Sequence, residues 1–512
     1  MMSEPRSTSS EEYGLPEQAV RSALWAGGSH YWLFGLGLVK TVVLARIVPP
    51  EYFGMVAVGQ AWVTYFSVFR LDFRTVIVTW EDDSRRTLSV QFWLDNLLSW
   101  SGLLLAAGLY WISPQVLFLV GEVPGNWLSA VWVVVFTLLL VVGFEGLTST
   151  PRYLLERKLR QDILGRLTVL HAVLGLVAAV ALAWRGHYLA AILVDVAMPA
   201  LVIGVGVTLV TRWRPAFVWD TKLARGLLEF GLTMWTAGLL GKIVFQLDDW
   251  LVGTIGRVRP KVWLSSGVLP ESFYSRAYTA GKMPMDVFAG MIGQIALPLY
   301  ARSAAQGRET LRRAYRHLSW LLTHMIFLSG VFALTATEEV VTIVLSERWL
   351  PTVPLFRLMA GFILLRPLYQ NACQLLIAVR KEKRMRRTVA QQAVFLLLAC
   401  PPAVWYWGAA GAAVAVSVMT IIGLSFADRY VGEELGRPAG DVYLWPALTG
   451  LAVYGMLRLL APWLPLSLWG SAAVKGGLCL VAFALVILLF ERSQAYTVWA
   501  TVRRALRRGA EK

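Results

Sequence analysis

From residue 23 to residue 490 the chain reads as one apolar run after another. Each run is roughly 20 residues long, the length that carries an α-helix across a bilayer core. Backbone groups inside a bilayer must be satisfied within their own segment, so such runs fold as helices. We count about fourteen spanning candidates. Their cores lie near 23–45, 53–78, 88–112, 127–149, 163–184, 188–211, 223–252, 272–299, 317–337, 353–379, 388–406, 409–428, 442–463 and 468–490. The connections leave no room for a soluble domain; the longest, between the seventh and eighth runs, is about 20 residues. Any chemistry must therefore happen within the helices or at their mouths. Only 16% of the residues are charged, against about 25% in a soluble domain. The expected fold is an all-α integral membrane protein.

A net charge of +16 points to nucleic acid in a soluble chain, but here the positive-inside rule accounts for it. Alternate loops carry Arg85 and Arg86, then Arg152, Arg157, Lys158 and Arg160, then Arg212, Arg214, Lys222 and Arg225. The same side continues with Arg302, Arg308, Arg312, Arg313 and Arg316, and with Arg380, Lys381, Lys383, Arg384, Arg386 and Arg387. The tail adds Arg503, Arg504, Arg507 and Arg508. With the N-terminal tail this side holds roughly 31 Lys and Arg, against about 7 on the other, which puts both termini in the cytoplasm. The main exception is the loop from Gly256 to Ser266, which carries Arg257, Arg259 and Lys261 outside. Residues 1–18 have no apolar core and read as a polar tail rather than a cleaved signal peptide. Residues 496–508 space Val498, Trp499, Val502 and Leu506 among arginines. That is the pattern of a basic amphipathic helix on the inner leaflet, with a solvated charged tail as the other reading.

The stretch Gly35 to Gly54, GLGLVKTVVLARIVPPEYFG, has a later echo. Lys40 sits about two thirds of the way through the first run and Lys242 similarly in the seventh; Pro50, Glu51 and Phe53 then correspond to Pro270, Glu271 and Phe273. If the echo is real, the chain holds two parallel repeats of six helices related by an axis along the membrane normal, with the last two runs as an appendix. The expected divisions are a polar tail over 1–20, six-helix bundles over 21–215 and 216–430, two extra helices over 431–490 and a basic tail over 491–512.

Charges inside the runs are the candidate functional groups. A charge at the bilayer centre costs at least about 2.5–3.5 kcal/mol on insertion scales, so it faces a polar interior. The first half has Lys40, Arg70, Asp72, Arg74, Asp95, Glu145 and Asp195; the second has Lys242, Asp248, Asp249, Arg276, Asp286, Arg357 and Arg366. Arg70 and Arg74, four residues apart, are expected on one helix face. Arg366 precedes Pro367, where a kink frees backbone groups near a cavity. Two readings stand side by side. In one, Lys40, Arg70, Arg74, Lys242 and Arg366 line an anion-binding cavity, the guanidinium fork matching phosphate oxygens. In the other, each cation is neutralised by an acid such as Asp72, Asp195 or Asp286, or snorkels to an interface. Asp195, Asp248 and Asp249 are the candidate charge partners or ion-coupling groups. Asp248, Asp249 and Trp250 also fit a plain interfacial helix end with an aromatic anchor.

Other chemistry finds little support. Gly238 to Lys242 lacks the spacing and the following Ser or Thr of a phosphate loop, and the histidines form no HExxH pair. His171 and His324 are either proton relays or packing residues within helices. Cys373, Cys400 and Cys479 are odd in number, fit no metal spacing and read as lipid-buried or core thiols. No metal, cofactor or nucleic-acid partner is expected.

The segments Leu44-Ala45-Arg46 and Pro50-Glu51-Tyr52-Phe53-Gly54 resemble the opening of the polysaccharide-biosynthesis flippases. Phe273 to Tyr278, Met283-Pro284 and Leu297 to Tyr300 resemble the matching part of the second half. The family is the Wzx-type lipid-linked oligosaccharide exporters of the multidrug/oligosaccharidyl-lipid/polysaccharide superfamily, and the resemblance covers roughly residues 20–430. It implies two pseudo-symmetric six-helix bundles around a central cavity, alternating access, and a polyprenyl-diphosphate-linked glycan moved from the inner to the outer leaflet of a bacterial inner membrane. It implies partnership with glycosyltransferases and a polymerase. Arg74 beside Asp72 and the basic insertion at 257–261 depart from the family pattern. The rival functions are a multidrug antiporter of the same superfamily, which favours an acidic cavity, and a membrane glycosyltransferase or polymerase, which needs larger outer loops.

Overall fold

The computed structural model describes residues 32–33, 35–67, 70–71, 73, 84–114, 125–157, 160–254, 270–436, 441–460 and 467–496. Among them no residue is in a strand. The polar N-terminal tail, Asp72, Arg74, the loop at 256–266 and residues 497–512 lie outside this set. Within the described residues the apolar runs fall largely on helix, and the second leaves it after Phe66. By length and composition seven of the described helices qualify as membrane spans, or eight when one bent pair is taken together.

The helices are α1 (35–47), α2 (Pro50–Phe66), α3 (Arg85–Ile112), α4 (Gly125–Arg157), α5 (Gln161–Trp184), α6 (Tyr188–Thr211) and α7 (Thr221–Thr254). They continue with α8 (Pro270–Ala305), α9 (Arg308–Thr335), α10 (Thr337–Val344), α11 (Thr352–Leu358), α12 (Ala360–Ala378), α13 (Glu382–Leu435), α14 (Asp441–Leu460) and α15 (Leu468–Phe490). The chain divides into two compact units, Met1–Leu239 and Leu240–Lys512, with the division inside α7.

In the first unit α2 begins with Pro50 in its first turn, where the missing N–H is no loss, and Glu51 beside it suits the helix dipole. It ends sooner than the apolar run predicts. Ser67 Oγ donates to the Val63 carbonyl and Arg70 N–H to the Ser67 carbonyl, which turns the chain out of the helix. Arg70, Leu71 and Phe73 are not helical, so the expectation of one helix face carrying Arg70 and Arg74 is corrected. The physical reason is an alternation with period two. Leu71 and Phe73 are both buried, packing with Val90 and Leu94 of α3 and Ala224 and Leu227 of α7. A helix cannot send residues i and i+2 to the same side. The loop after α6 is pinned to α3: Trp93 Nε1 donates to the Ala216 carbonyl at 2.9 Å, and Ala216 N–H donates to Ser89 Oγ at 2.9 Å. Asp220 caps α7, accepting from the backbone N–H of Lys222 and Leu223 at 3.0 and 3.2 Å. The Leu223 N–H and the nearby Arg86 guanidinium hold its carboxyl below the usual range.

In the second unit the longest helix, α13, is in fact a hairpin. Gly408 has φ +57° and ψ −138°, outside helical space, and it separates the expected runs 388–406 and 409–428. Contacts across the break keep a nearly constant sum of residue numbers, as antiparallel arms require. Gly411 lies against the backbone of Ala403, Gly423 against Gln392, and Arg384 Nη1 reaches Glu433 Oε2 at 2.8 Å. Straight, 54 residues would run on the order of 80 Å, far longer than any bilayer core. The run 353–379 is two helices, α11 and α12, bent by 45°. That bend falls at Met359; α12 continues through Pro367, so the kink expected beside Arg366 lies two turns earlier. The unit's core joins Tyr300, Tyr315, Leu322, Leu368, Leu376, Ala427 and Val431 from α8, α9, α12 and α13. Cys373, Cys400 and Cys479 are buried and unpaired, as core thiols.

Candidate functional site

The first unit brings opposite charges together from distant parts of the chain. Lys40 of α1 meets Asp195 of α6 at 2.7 Å, their side chains 30% and 19% exposed. Of the two readings open for Lys40, its resting contact is the carboxylate. His171 of α5 lies within electrostatic reach of both partners. Arg70, just beyond α2, meets Glu145 of α4 at 2.8 Å.

Arg70 and Glu145 open onto a cleft with about 460 Å³ of empty space. Its floor is polar and comes mostly from α4: Glu145, Thr148, Ser149, Arg152 and Tyr153. Its wall is apolar and comes from α6: Pro199, Ala200, Ile203, Gly204 and Val207, spaced to share one helix face. Beneath the floor runs a buried polar seam between α3 and α4. Ser149 Oγ donates to Asp95 Oδ2 at 2.6 Å, Thr150 Oγ1 to Gln91 Oε1 at 2.8 Å, and Asn96 Nδ2 to the Gly146 carbonyl at 3.2 Å. Arg152 is tied along its own helix to Glu156 at 3.3 Å. The cleft thus offers two guanidinium groups and one carboxylate beside an apolar wall. The Arg70–Glu145 pair is partly open to solvent, with side chains 25% and 43% exposed.

In the second unit Arg366 is 4% exposed. Its Nη1 donates to Gln392 Oε1 at 3.4 Å and its guanidinium lies 5.1 Å from the centre of the Tyr369 ring. It is a buried cation held between α12 and the first arm of α13. Asp248 is 1% exposed and accepts from the Tyr274 hydroxyl at 2.5 Å; Asp249 beside it is half-buried. Asp248 is thus covered by α8 through Tyr274. Lys242 lies on the described backbone of α7, but its side chain, like that of Asp286, is outside the described residues. Arg74 lies outside them altogether. Arg276 lies 5.5 Å from the Trp349 ring centre and Arg357 pairs with Glu338 at 3.0 Å. Among the described residues no cluster of His, Cys, Asp or Glu could hold a metal ion.

Sequence reasoning found Arg70, Asp95 and Glu145 but not Gln91, Asn96, Ser149 or Tyr153. The signal was present on α3. Gln91, Asp95, Asn96 and Ser99, at spacings of four, five and eight, form a polar stripe in an apolar run, and all four are buried.

Comparison with known proteins sets this geometry in context. A sequence model of the family described as polysaccharide biosynthesis protein matches residues 43–354. The succinoglycan biosynthesis transport protein ExoT of Rhizobium meliloti is 25% identical over 67% of this chain. The teichuronic acid biosynthesis protein TuaB of Bacillus subtilis is 22% identical over 62%. These matches span 65% and 62% of the lengths of the two relatives. Among solved structures, the lipid II flippase MurJ in an inward closed conformation superposes with a TM-score of 0.69 at 13% identity, over 92% of this chain and 99% of that one. The fold is shared with that structure.

Proposed function

Because the chain belongs to the polysaccharide biosynthesis protein family, we propose that it carries a polyprenyl-diphosphate-linked oligosaccharide from the inner to the outer leaflet of a bacterial inner membrane. It does so by alternating access, as a carrier and not an enzyme. Its fourteen helices cross the membrane with both termini in the cytoplasm, and the first twelve form two pseudo-symmetric bundles of six around a central cavity. The names of the relatives support this reading: they serve in making succinoglycan and teichuronic acid, and the protein that shares the fold flips lipid II.

The observation that carries the proposal is the cleft of the first unit, where Arg70 and Arg152 flank Glu145 on a polar floor facing an apolar wall. An amphiphile with a phosphorylated head and an apolar tail complements such a surface. On the positive-inside assignment the cleft lies towards the cytoplasm, where the substrate is loaded. Lys40, Arg70, Arg74, Lys242 and Arg366 guide the anionic head along its route. Asp195, Asp248 and Asp249 balance their charge or couple an ion. Glycosyltransferases supply the lipid-linked glycan and a polymerase consumes it.

The test uses the full chain in proteoliposomes with a fluorescent oligosaccharide on a polyprenyl diphosphate. Protection of the inner-leaflet label from a membrane-impermeant quencher should be lost as the head crosses, without new glycosidic bonds. Arg70→Ala should slow that loss about tenfold, the equivalent of about 1.4 kcal/mol at the barrier. Arg225→Ala, on an exposed pair at the start of α7, should not. Absence of translocation, or bond formation by the chain itself, overturns the assignment.

A further inference from the structure

The first arm of the α13 hairpin sorts its cations by face. Arg384 and Lys381 turn to the returning arm. Arg384 Nη1 lies 2.8 Å from Glu433 Oε2 and 3.2 Å from Glu434 Oε1, and Lys381 Nζ lies 3.7 Å from Glu434 Oε1. Arg308 of α9 closes the same end, donating to the Glu433 and Glu434 carbonyls at 2.8 and 2.6 Å. Lys383, Arg386 and Arg387 take no part in this lock. All three are exposed, and among the described residues none of them has an ion-pair partner. Glu382 lies one turn before Arg386 and is also exposed, which leaves the group net positive.

Further along, the same helix face is apolar. With 3.6 residues per turn, Lys383, Arg386 and Arg387 share one stripe with Val394, Leu397, Leu398 and Trp405, and these four are exposed as well. The stripe is basic at one end, aliphatic in the middle and aromatic at the other end. There Tyr406 and Trp407 join Trp405 just before the turn at Gly408. That is the order of charged interface, acyl chains and aromatic belt across a bilayer. The length agrees: at helical rise Arg387 and Trp405 stand about 27 Å apart, close to the thickness of a hydrocarbon core. The three cations therefore sit at headgroup level, with lipid-facing aliphatic side chains next to them along the helix.

We propose that Lys383, Arg386 and Arg387 form a binding site for the phosphate of an anionic phospholipid, whose acyl chains lie along Val394, Leu397 and Leu398. On the positive-inside assignment the lipid belongs to the cytoplasmic leaflet. The site shares no residue with the cleft of the first unit, and its occupant is membrane lipid rather than transported glycan lipid. Guanidinium forks match phosphate oxygens. Residues three and four apart on a helix are neighbours, so the three cations reach one headgroup together. A soluble anion would meet the charges alone, whereas a lipid also covers the apolar stripe. A zwitterionic headgroup brings a cation of its own, which these three repel.

The test uses the full chain carrying a bimane label on Val394→Cys; the three native cysteines are buried and escape labelling. It is reconstituted in vesicles of phosphatidylcholine and phosphatidylglycerol in equal parts, with one lipid or the other brominated on its chains. Quenching should show phosphatidylglycerol favoured about fivefold beside the label. The triple variant Lys383→Gln, Arg386→Gln and Arg387→Gln should bring the two lipids level. Arg212→Gln, Arg214→Gln and Lys222→Gln together remove the same charge from exposed positions elsewhere and should leave the preference intact. Should the first triple variant fail to fold, Arg387→Gln alone should still lower the preference. Equal quenching by both lipids in the parent chain overturns the proposal. So does an equal loss in the second triple variant, which would mean diffuse attraction, or displacement of the lipid by excess inorganic phosphate, which would mean a soluble-anion site. The readout needs no transport, so its outcome is independent of the proposed function.

Discussion

The ion pair between Lys40 and Asp195 gives the sharpest test of how charge is handled inside the first unit. At 2.7 Å and an effective dielectric constant near 20 the gross attraction is about 6 kcal/mol. Desolvation removes most of it. Breaking a fully buried pair from one side costs about 3–5 kcal/mol, whereas an exposed pair is worth about 0–1 kcal/mol. With side chains 30% and 19% exposed, the pair belongs between these limits, so we expect a coupling of about 2 kcal/mol, or about thirtyfold in an equilibrium constant. The variants are Lys40→Met, Asp195→Leu and the double substitution. Each single variant leaves a charge facing α1 or α6 without its partner, and the double variant removes both. Unfolding in mixed micelles, followed by the fluorescence of the native tryptophans, supplies the cycle. The double variant should be more stable than the sum of the singles by the coupling energy. Strict additivity would refute the pairing and return Lys40 to the role of a free cation. Transport adds a second readout: if Lys40 also meets the substrate, the double variant should fold and still transport poorly.

Two further outcomes follow from the second unit. Gly411→Leu forces a side chain into the Ala403 backbone at the tip of the α13 hairpin, and no rotamer relieves a backbone clash. We expect a loss of more than about 2 kcal/mol, seen as a collapse of monodisperse protein on size-exclusion chromatography, while Val414→Leu on the exposed face should be silent. The second outcome concerns pH. Burial on its own pushes the Glu339 carboxyl up, but the Lys475 ammonium and the Ser471 hydroxyl outweigh it and hold the group below the ordinary range. A depressed carboxyl contributes stability above its unfolded value and loses it as pH falls through the folded one. The parent chain should therefore lose thermal stability below about pH 4, and Glu339→Gln should be less stable at neutral pH and lose less on acidification.

The apolar runs were legible because bilayer length and backbone satisfaction leave a chain few choices; within the described residues they fall largely on helix. The cost of bare charge in lipid likewise marked Lys40, Arg70, Glu145, Asp195, Asp248 and Arg366 as residues that must meet something polar. The alternation of Leu71 and Phe73 was visible too, but it was hidden inside a run whose length argued for one long helix. Tyr274, which covers the Asp248 carboxylate, lies 26 residues further on, and nothing local announces that contact.

Sequence alone therefore determined where the helices are and which of their charges need partners, because both follow from local transfer energies. The tertiary structure decided who those partners are. Lys40 finds Asp195 across 155 positions and Lys475 finds Glu339 across 136. It also decided that α13 turns back at Gly408 and that Arg384 of one arm meets Glu433 of the other. Such pairings depend on how helices pack side by side, and the periodicity of a single helix carries no record of its neighbour's register.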